Sequence, residues 1–146
     1  MQTPVGELIK AKGCPVQAID PGATVLEAIT KMAAEGVGSL VALTKAGKLA
    51  GILSERDCIR KVILKEKSPR DVLVRDIMSR KVACVPPERT VEECMALMNE
   101  KKVRHLPVVQ GESVVGVISM RDVVGFLCSE QDLMIRNLEK YIEGSL

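Results

Sequence analysis

Aromatic side chains are nearly missing from this chain of 146 residues: it has no tryptophan, one phenylalanine (Phe126) and one tyrosine (Tyr141). Without rings to stack on bases, a platform for single-stranded nucleic acid is excluded. Histidine is almost as scarce, His105 standing alone. That removes multi-histidine metal sites and makes a Cys–His or Ser–His pair hard to assemble, so neither catalytic residues nor a metal site is expected. Five cysteines (Cys14, Cys58, Cys84, Cys94 and Cys128) form no C-x-x-C pair, and their spacings of 44, 26, 10 and 34 fit no zinc or redox motif. Reduced thiols acting as small buried hydrophobes are the expectation.

Charge of one sign is also lacking. A net charge of +2 gives no footprint for nucleic acid or an anionic membrane. No apolar run approaches the roughly 20 residues of a membrane-spanning helix. The opening Met1–Glu7 has no basic stretch followed by an apolar one, so no secretory signal is read there. The chain reads as cytoplasmic, or as an organellar form whose transit peptide is gone.

Hydrophobic residues at 47% and charged residues at 27% instead describe a folded domain. The length suits one ordinary domain or two small halves sharing a core. Residues 3–12 read as a lead helix with Thr3 as its cap, Pro4 in its first position and Gly13 as its stop. Cys14–Ile19 is an extended segment. Thr24-Val-Leu-Glu27 is a capping-box pattern, and Val25, Ala28, Ile29 and Met32 follow at helical spacing. Ser39–Leu43 and Leu49–Leu53 read as a hairpin around Lys45–Lys48. A helix from Ser54 is expected to turn Cys58, Ile59, Val62 and Ile63 inward.

The same order then recurs. Asp76–Ser79 makes a lead turn and Val82–Val85 an extended segment, followed by a Thr90…Glu93 capping box with Val91, Cys94, Met95 and Met98 on one helix face. Strands from His105 and from Ser113 to Ile118 close the unit. Thr24 and Thr90, Glu27 and Glu93, Met32 and Met98, and Leu40 and Leu106 are each 66 positions apart, whereas Gly51 and Gly116, Ser54 and Ser119, and Asp57 and Asp122 are each 65 apart. The one-residue change falls in a hairpin turn, where length costs little. This is an internal duplication of β-α-β-β-α units. The expected divisions are a lead helix at 1–12, repeats at 13–66 and 74–128 with a connector at 67–73, and a C-terminal helix at 129–146. That last helix carries Leu133, Met134, Leu138, Tyr141 and Ile142 and is expected either to pack back on the domain or to join a neighbour.

Each repeat ends in the pattern around which the chain is organised: Gly51-Ile-Leu-Ser54-Glu-Arg56-Asp57 and Gly116-Val-Ile-Ser119-Met-Arg121-Asp122. A buried strand runs into a helix start, where a serine cap and an aspartate stand beside free backbone N–H groups. Such a start accommodates an anion, and its carboxylate can accept hydrogen bonds from ribose hydroxyls. Ser-x-x-Asp is equally a helix cap that needs no ligand. The recurrence of Gly and Arg alongside Ser and Asp points beyond a cap.

These paired units resemble tandem CBS domains, the Bateman module, over about residues 5–128. The resemblance implies an α/β (α+β) fold, with the two β-α-β-β-α repeats packed about a pseudo-two-fold axis and flanked by a short N-terminal and a longer C-terminal helix. It implies a non-enzymatic regulatory module that binds an adenosyl ligand, namely AMP, ADP, ATP, S-adenosylmethionine or NAD(H), in the clefts between repeats. No cofactor is required. In the second site, Asp122 matches the family's ribose-binding aspartate and Ser119, with Ile118 and Arg121 beside it, the hydroxyl residue. Lys81, Val82 and Ala83 match the adenine wall there, and Arg104, His105 and Pro107 the facing strand edge. In the first site the matches are Asp57, Ser54 and Arg56, with Val16 and Ala18 as the wall and Gly38, Ser39 and Leu40 as the edge. Arg104, His105 and Arg121 suit phosphate, so the second site is expected to be the tighter one. Expected partners are the adenine nucleotide, a second copy in a homodimer and a separate regulated protein, with neither nucleic acid nor membrane. The competing readings are a cysteine-based redox protein and a structural dimerisation module with non-functional clefts.

Overall fold

Two small sheets, each backed by helices, account for the chain in a computed structural model that describes residues 2–142. Helix α1 (Val5–Lys12) starts from Pro4 in an extended conformation, which a ring-locked φ permits just ahead of a helix, and ends at Gly13 in the left-handed region. Strand β1 (Ala18–Ile19) is shorter than the extended segment expected at Cys14–Ile19. It lies parallel to β2 (Ser39–Leu43), which pairs antiparallel with β3 (Leu49–Ser54). Helix α2 (Val25–Glu35) begins where Thr24 accepts a hydrogen bond from the Glu27 N–H at 3.1 Å, as the capping pattern predicts. Val25, Ala28 and Met32 are its buried face.

Helix α3 (Glu55–Cys58) widens into a π-helical turn over Ile59–Ile63. The wider turn leaves Cys58 and Val62 in the core and exposes half of Ile59 and of Ile63. The expectation that all four point inward is therefore corrected: Cys58 and Val62 face the core, and the position after each, Ile59 and Ile63, is half-exposed.

In the second repeat, α4 (Val74–Ile77) precedes α5 (Val91–Lys101), β4 (His105–Gln110), β5 (Ser113–Ser119) and α6 (Met120–Ile142). Strands β4 and β5 are antiparallel, and the counterpart of β1 is reduced to one parallel bridge between Val85 and Val108. Met95, placed by spacing on the inner face of α5, is 38% exposed, while Val91, Cys94 and Met98 are buried.

The two halves exchange their lead segments. Val5, Leu8 and Ile9 of α1 pack into the core of the second repeat with Val91, Leu106 and Ile118. Val72, Val74 and Ile77, from the segment that leads into the second repeat, pack into the core of the first with Val25, Leu40 and Leu53. Backbone hydrogen bonds fix both crossings: Val91 N–H donates to the Thr3 carbonyl at 2.9 Å, and Val25 N–H to the Val72 carbonyl at 2.8 Å. Fully burying a side chain such as Val5 or Val74 contributes about 1.5–3 kcal/mol, so neither half keeps its core without the other's lead segment. This reciprocal arrangement is the pseudo-two-fold packing expected of paired units.

Helix α6 runs on past the second core. Residues 131–142 are exposed throughout, including Leu133, Met134, Leu138, Tyr141 and Ile142. Up to that point the tail does not pack back on the domain, and residues 143–146 lie outside the described residues.

Candidate functional site

At the end of β3, Ser54 Oγ accepts from Asp57 N–H at 3.2 Å. Asp57 Oδ2 in turn accepts from Ser54 N–H at 3.0 Å and from its hydroxyl at 3.1 Å. Asp57 Oδ1 lies 3.3 Å from Lys61 Nζ, one turn further along. The second repeat builds the same reciprocal cap: Asp122 N–H donates to Ser119 Oγ at 3.1 Å, and Ser119 N–H to Asp122 Oδ2 at 2.9 Å. Capping alone thus accounts for both Ser–Asp pairs.

The recurring glycines have a packing cause. A Cβ on Gly51 would stand 2.7 Å from the Ser79 carbonyl oxygen and 2.8 Å from Met78 Sδ, and one on Gly116 would stand 2.6 Å from Ile9 Cγ2. Each sheet needs bare backbone where the crossed-over lead segment lies against it. Glycine is therefore no sign of a ligand here. What the caps leave unexplained is the charge gathered around one of them.

Between the halves lies a cavity of about 410 Å³, lined from the first repeat by Gly38, Ile52, Ser54, Glu55, Arg56 and Asp57, with Ser79 from the segment crossing over. Lys102, Val103, Arg104 and His105 of the second repeat face them. The volume falls within the range of small-molecule sites. Three cationic side chains and an imidazole stand against two carboxylates. Ile52 and Val103 supply apolar wall.

Two of the residues from the second repeat carry unusual settings. Lys102 ends α5 in the left-handed conformation, at φ 55° and ψ 42°. One repeat earlier the same position is Gly36, at φ 65°. A side chain in that region costs about 1 kcal/mol or more, so a lysine there is held against local preference. His105 sits opposite Gly38, whose added Cβ would lie 3.8 Å from the imidazole Nε2. Burial lowers its pKa and the Lys12 and Arg104 charges act in the same direction, outweighing Asp122 and Glu55.

The Asp122 end differs. Lys12, the last residue of α1, donates from Nζ to Asp122 Oδ2 at 2.9 Å and to the Val117 carbonyl at 3.2 Å. Burial alone would raise the Asp122 pKa, yet the hydrogen bonds from Lys12 and Ser119 and the Lys12 charge bring it below the ordinary carboxylate value.

Of the residues expected at the first site, Gly38, Ser54, Arg56 and Asp57 come together on the cavity. Leu40 is in the core, Ser39 is buried, and Val16 and Ala18 lie half-buried away from the lining. Of those expected at the second site, Arg104 and His105 line the Asp57 cavity, and His105, paired with Ser119 across the sheet, also feels the Asp122 charge. The turn from α5 into β4 reaches across the pseudo-two-fold axis and presents its side chains to the opposite repeat. Ile118 and Pro107 are buried in the second half, Arg121 and Lys81 are exposed, and Val82 and Ala83 are half-buried. Ser119 and Asp122 remain together at their own cap. Lys102 was passed over in the sequence, although lysine in the register of Gly36 marks it. Lys12 has no such mark, since its partner is 110 positions away.

The buried thiols are poor nucleophiles. Burial, with the Asp57 and Glu55 charges, pushes Cys58 up to about 11. Burial and the Glu93 charge do the same for Cys94, also to about 11. Cys14, Cys84 and Cys128 are exposed, and desolvation raises the Cys84 pKa as well. Among the described residues no cluster of three His, Cys, Asp or Glu side chains is placed to hold a metal ion, and no helix is long and apolar enough to cross a membrane.

Comparison with known proteins places this geometry in context. The CBS domain model matches residues 5–64 and again 74–129. The chain is 37% identical over 126 residues to the CBS domain-containing protein CBSX3, mitochondrial, of Arabidopsis thaliana, a match covering 83% of this chain and 61% of that protein. The chain thus spans about three fifths of that relative's length. A crystal structure of a CBS domain superposes with a TM-score of 0.83 at 43% identity, covering 88% of this chain and 99% of the other. A CBS domain protein from Pyrobaculum aerophilum, solved in complex with AMP, superposes with a TM-score of 0.73 at 26% identity, covering 84% of this chain and 89% of the other.

Proposed function

We propose, for a chain that belongs to the CBS-domain family, that the Asp57 cavity binds an adenine nucleotide and that the protein acts as a regulatory sensor rather than as an enzyme. CBS pairs are nucleotide-sensing regulatory modules, and the AMP complex of the Pyrobaculum aerophilum protein supports an adenosyl ligand. The observation that carries the reading is the convergence of Arg56, Lys102, Arg104 and His105 on one cavity that also holds a cap carboxylate. Phosphate oxygens meet the cationic side chains through charge-assisted hydrogen bonds. The free lone pairs of Asp57 accept from the ribose hydroxyls, and Ile52 and Val103 cover the base.

This assignment reverses the expectation that the second site is the tighter one. Two of the three donors on which that expectation rested, Arg104 and His105, line the Asp57 cavity, and Arg121 does not. Residues from both repeats line it, so a bound nucleotide ties one half to the other and favours the arrangement in which they meet. A homodimer belongs to the same reading, and the exposed apolar side chains of Ile59, Ile63, Leu64 and α6 are candidates for its surface. The regulated partner docks on that assembly.

Thermal melting against AMP, ADP, ATP, NADH and S-adenosylmethionine tests the reading. A nucleotide at a hundred times its dissociation constant adds about 2.7 kcal/mol, a shift of several degrees for a chain of this size. The shift is expected with at least one adenine nucleotide and lost in Asp57→Ala. Unaltered melting across the panel would favour a structural module whose Ser–Asp pairs serve only as caps.

A further inference from the structure

We infer that Lys12 decides which of the two clefts accepts a ligand, closing the Asp122 cleft from within the chain and leaving one nucleotide site per pair of repeats. The inference rests on the reading that these clefts take adenine nucleotides. Its basis is a comparison of equivalent positions. Ile52 and Asp57 both line the first cavity. Their counterparts 65 residues on are Val117 and Asp122, and one ammonium group bonds to both of these, at 3.2 Å and 2.9 Å. Lys12 therefore stands where a ribose would approach in the second cleft, on the Val117 carbonyl and on the Asp122 Oδ2 that the Ser119 N–H also bonds.

In the first cleft the Ile52 carbonyl accepts from the Ser79 N–H at 2.9 Å, and among the described residues no ammonium group bonds to both Ile52 and Asp57. The lead segments run in a different register, Ile9 on Gly116 answering to Met78 on Gly51, so the counterpart of Lys12 is Lys81, an exposed residue that does not line the cavity. Lys61 reaches Asp57 on its other oxygen and donates to the Ile77 carbonyl at 2.8 Å, but it is not among the residues lining the cavity.

The position of Lys12 is built rather than incidental. Helix α1 is fixed on the second core by Val5, Leu8 and Ile9, with Ile9 lying against the bare backbone of Gly116. Lys12 follows Ile9 by three residues, on the same side of the helix, and Gly13 ends the helix immediately after it. A ribose hydroxyl competing for Asp122 must displace a charge-assisted bond between partly buried groups, whose side chains are 36% and 24% exposed.

The test is calorimetric titration of the full chain with AMP and with ATP. Lys12→Met keeps the length and apolar stem that support α1, and Lys12→Gln serves as a second variant should the first melt early. The expected result is one site per chain in the wild type and two in Lys12→Met, the added site disappearing in the Lys12→Met, Asp122→Asn double variant. Two sites in the wild type would overturn the inference while leaving the Asp57 assignment in place. So would one site in both proteins, or a wild-type site that Lys12→Met removes, since Lys12 would then be a ligand contact. A wild type that binds nothing, beside a Lys12→Met that gains one site lost with Asp122→Asn, would uphold the inference and reject the Asp57 assignment. No binding in either protein would reject both.

Discussion

The Asp57 and Asp122 ends of the molecule carry the same reciprocal Ser–Asp cap, with matching hydrogen bonds near 3 Å, and differ in what surrounds it. Around Asp57 the opposite repeat contributes Lys102, Arg104 and His105 to an open cavity. Around Asp122 a lysine from the same chain bonds the carboxylate. A duplicated local motif therefore specifies a helix start and a chain direction. Whether that start becomes a binding site depends on which side chains the other half brings to it.

The largest effect expected from breaking this asymmetry comes from Arg104→Glu. Reversing a charge inside the cavity should weaken AMP binding about a hundredfold, which corresponds to about 2.7 kcal/mol. Arg121→Glu, in the helix start at the Asp122 cleft, should change affinity less than threefold. Titration calorimetry on the two variants compares them directly, and equal losses would remove the distinction between the clefts.

The glycines sharpen the comparison at the level of packing. Gly51→Ala and Gly116→Ala should each destabilise the chain by about 1–3 kcal/mol through overpacking. Gly51→Ala should be the more damaging of the two. Its new methyl meets the Ser79 backbone carbonyl, whereas that of Gly116→Ala meets only the Ile9 side chain, which can change rotamer. Urea unfolding midpoints rank them.

Lys102→Gly should gain about 1 kcal/mol of stability by relieving a left-handed side chain, and should lose nucleotide affinity. At the matching end of α2, Gly36→Ala should lose a similar amount of stability, because its φ of 65° strains any side chain although nothing lies within 4 Å. A Lys102→Gly protein with unchanged binding would assign that lysine no part in the site.

The smallest effect concerns pH. His105 has a lowered pKa in the folded chain because it is buried beside cationic groups, so the unfolded chain takes up its proton first. Stability from this residue is fully present above the unfolded value of about 6.5 and falls as pH drops below it. His105→Gln should flatten the melting profile between about pH 7 and pH 5.5. Bound phosphate should draw a proton onto His105, so AMP should bind more tightly at about pH 6 than at pH 8 in the wild type and not in His105→Gln.

Much of the architecture was legible in the residues. The 66- and 65-residue offsets, the Thr24 and Thr90 caps, both hairpins and the buried faces of α2 and α5 follow from local rules of periodicity and capping. Less legible was which core each apolar lead segment joins. The lead helix at 3–12 and the lead turn at Asp76–Ser79 are legible, but spacing does not reveal that Val5 and Val74 each pack into the other half. The same limit separated Arg104 and His105 from Asp57, since sequence order puts them in the second repeat while they line the cavity that holds Asp57. Spacing also places Ile59 and Ile63 inward, although each follows a buried residue by one position and is half-exposed. The Lys12–Asp122 pair joins residues 110 positions apart with no motif between them.

The central claim, that ligand enters at Asp57 and not at Asp122, is tested most directly by titrating AMP into Asp57→Ala and Asp122→Ala beside the wild type, each first shown to be folded. The account predicts that Asp57→Ala abolishes the wild-type site and that Asp122→Ala keeps it with unchanged affinity. Binding retained in Asp57→Ala and lost in Asp122→Ala would contradict it.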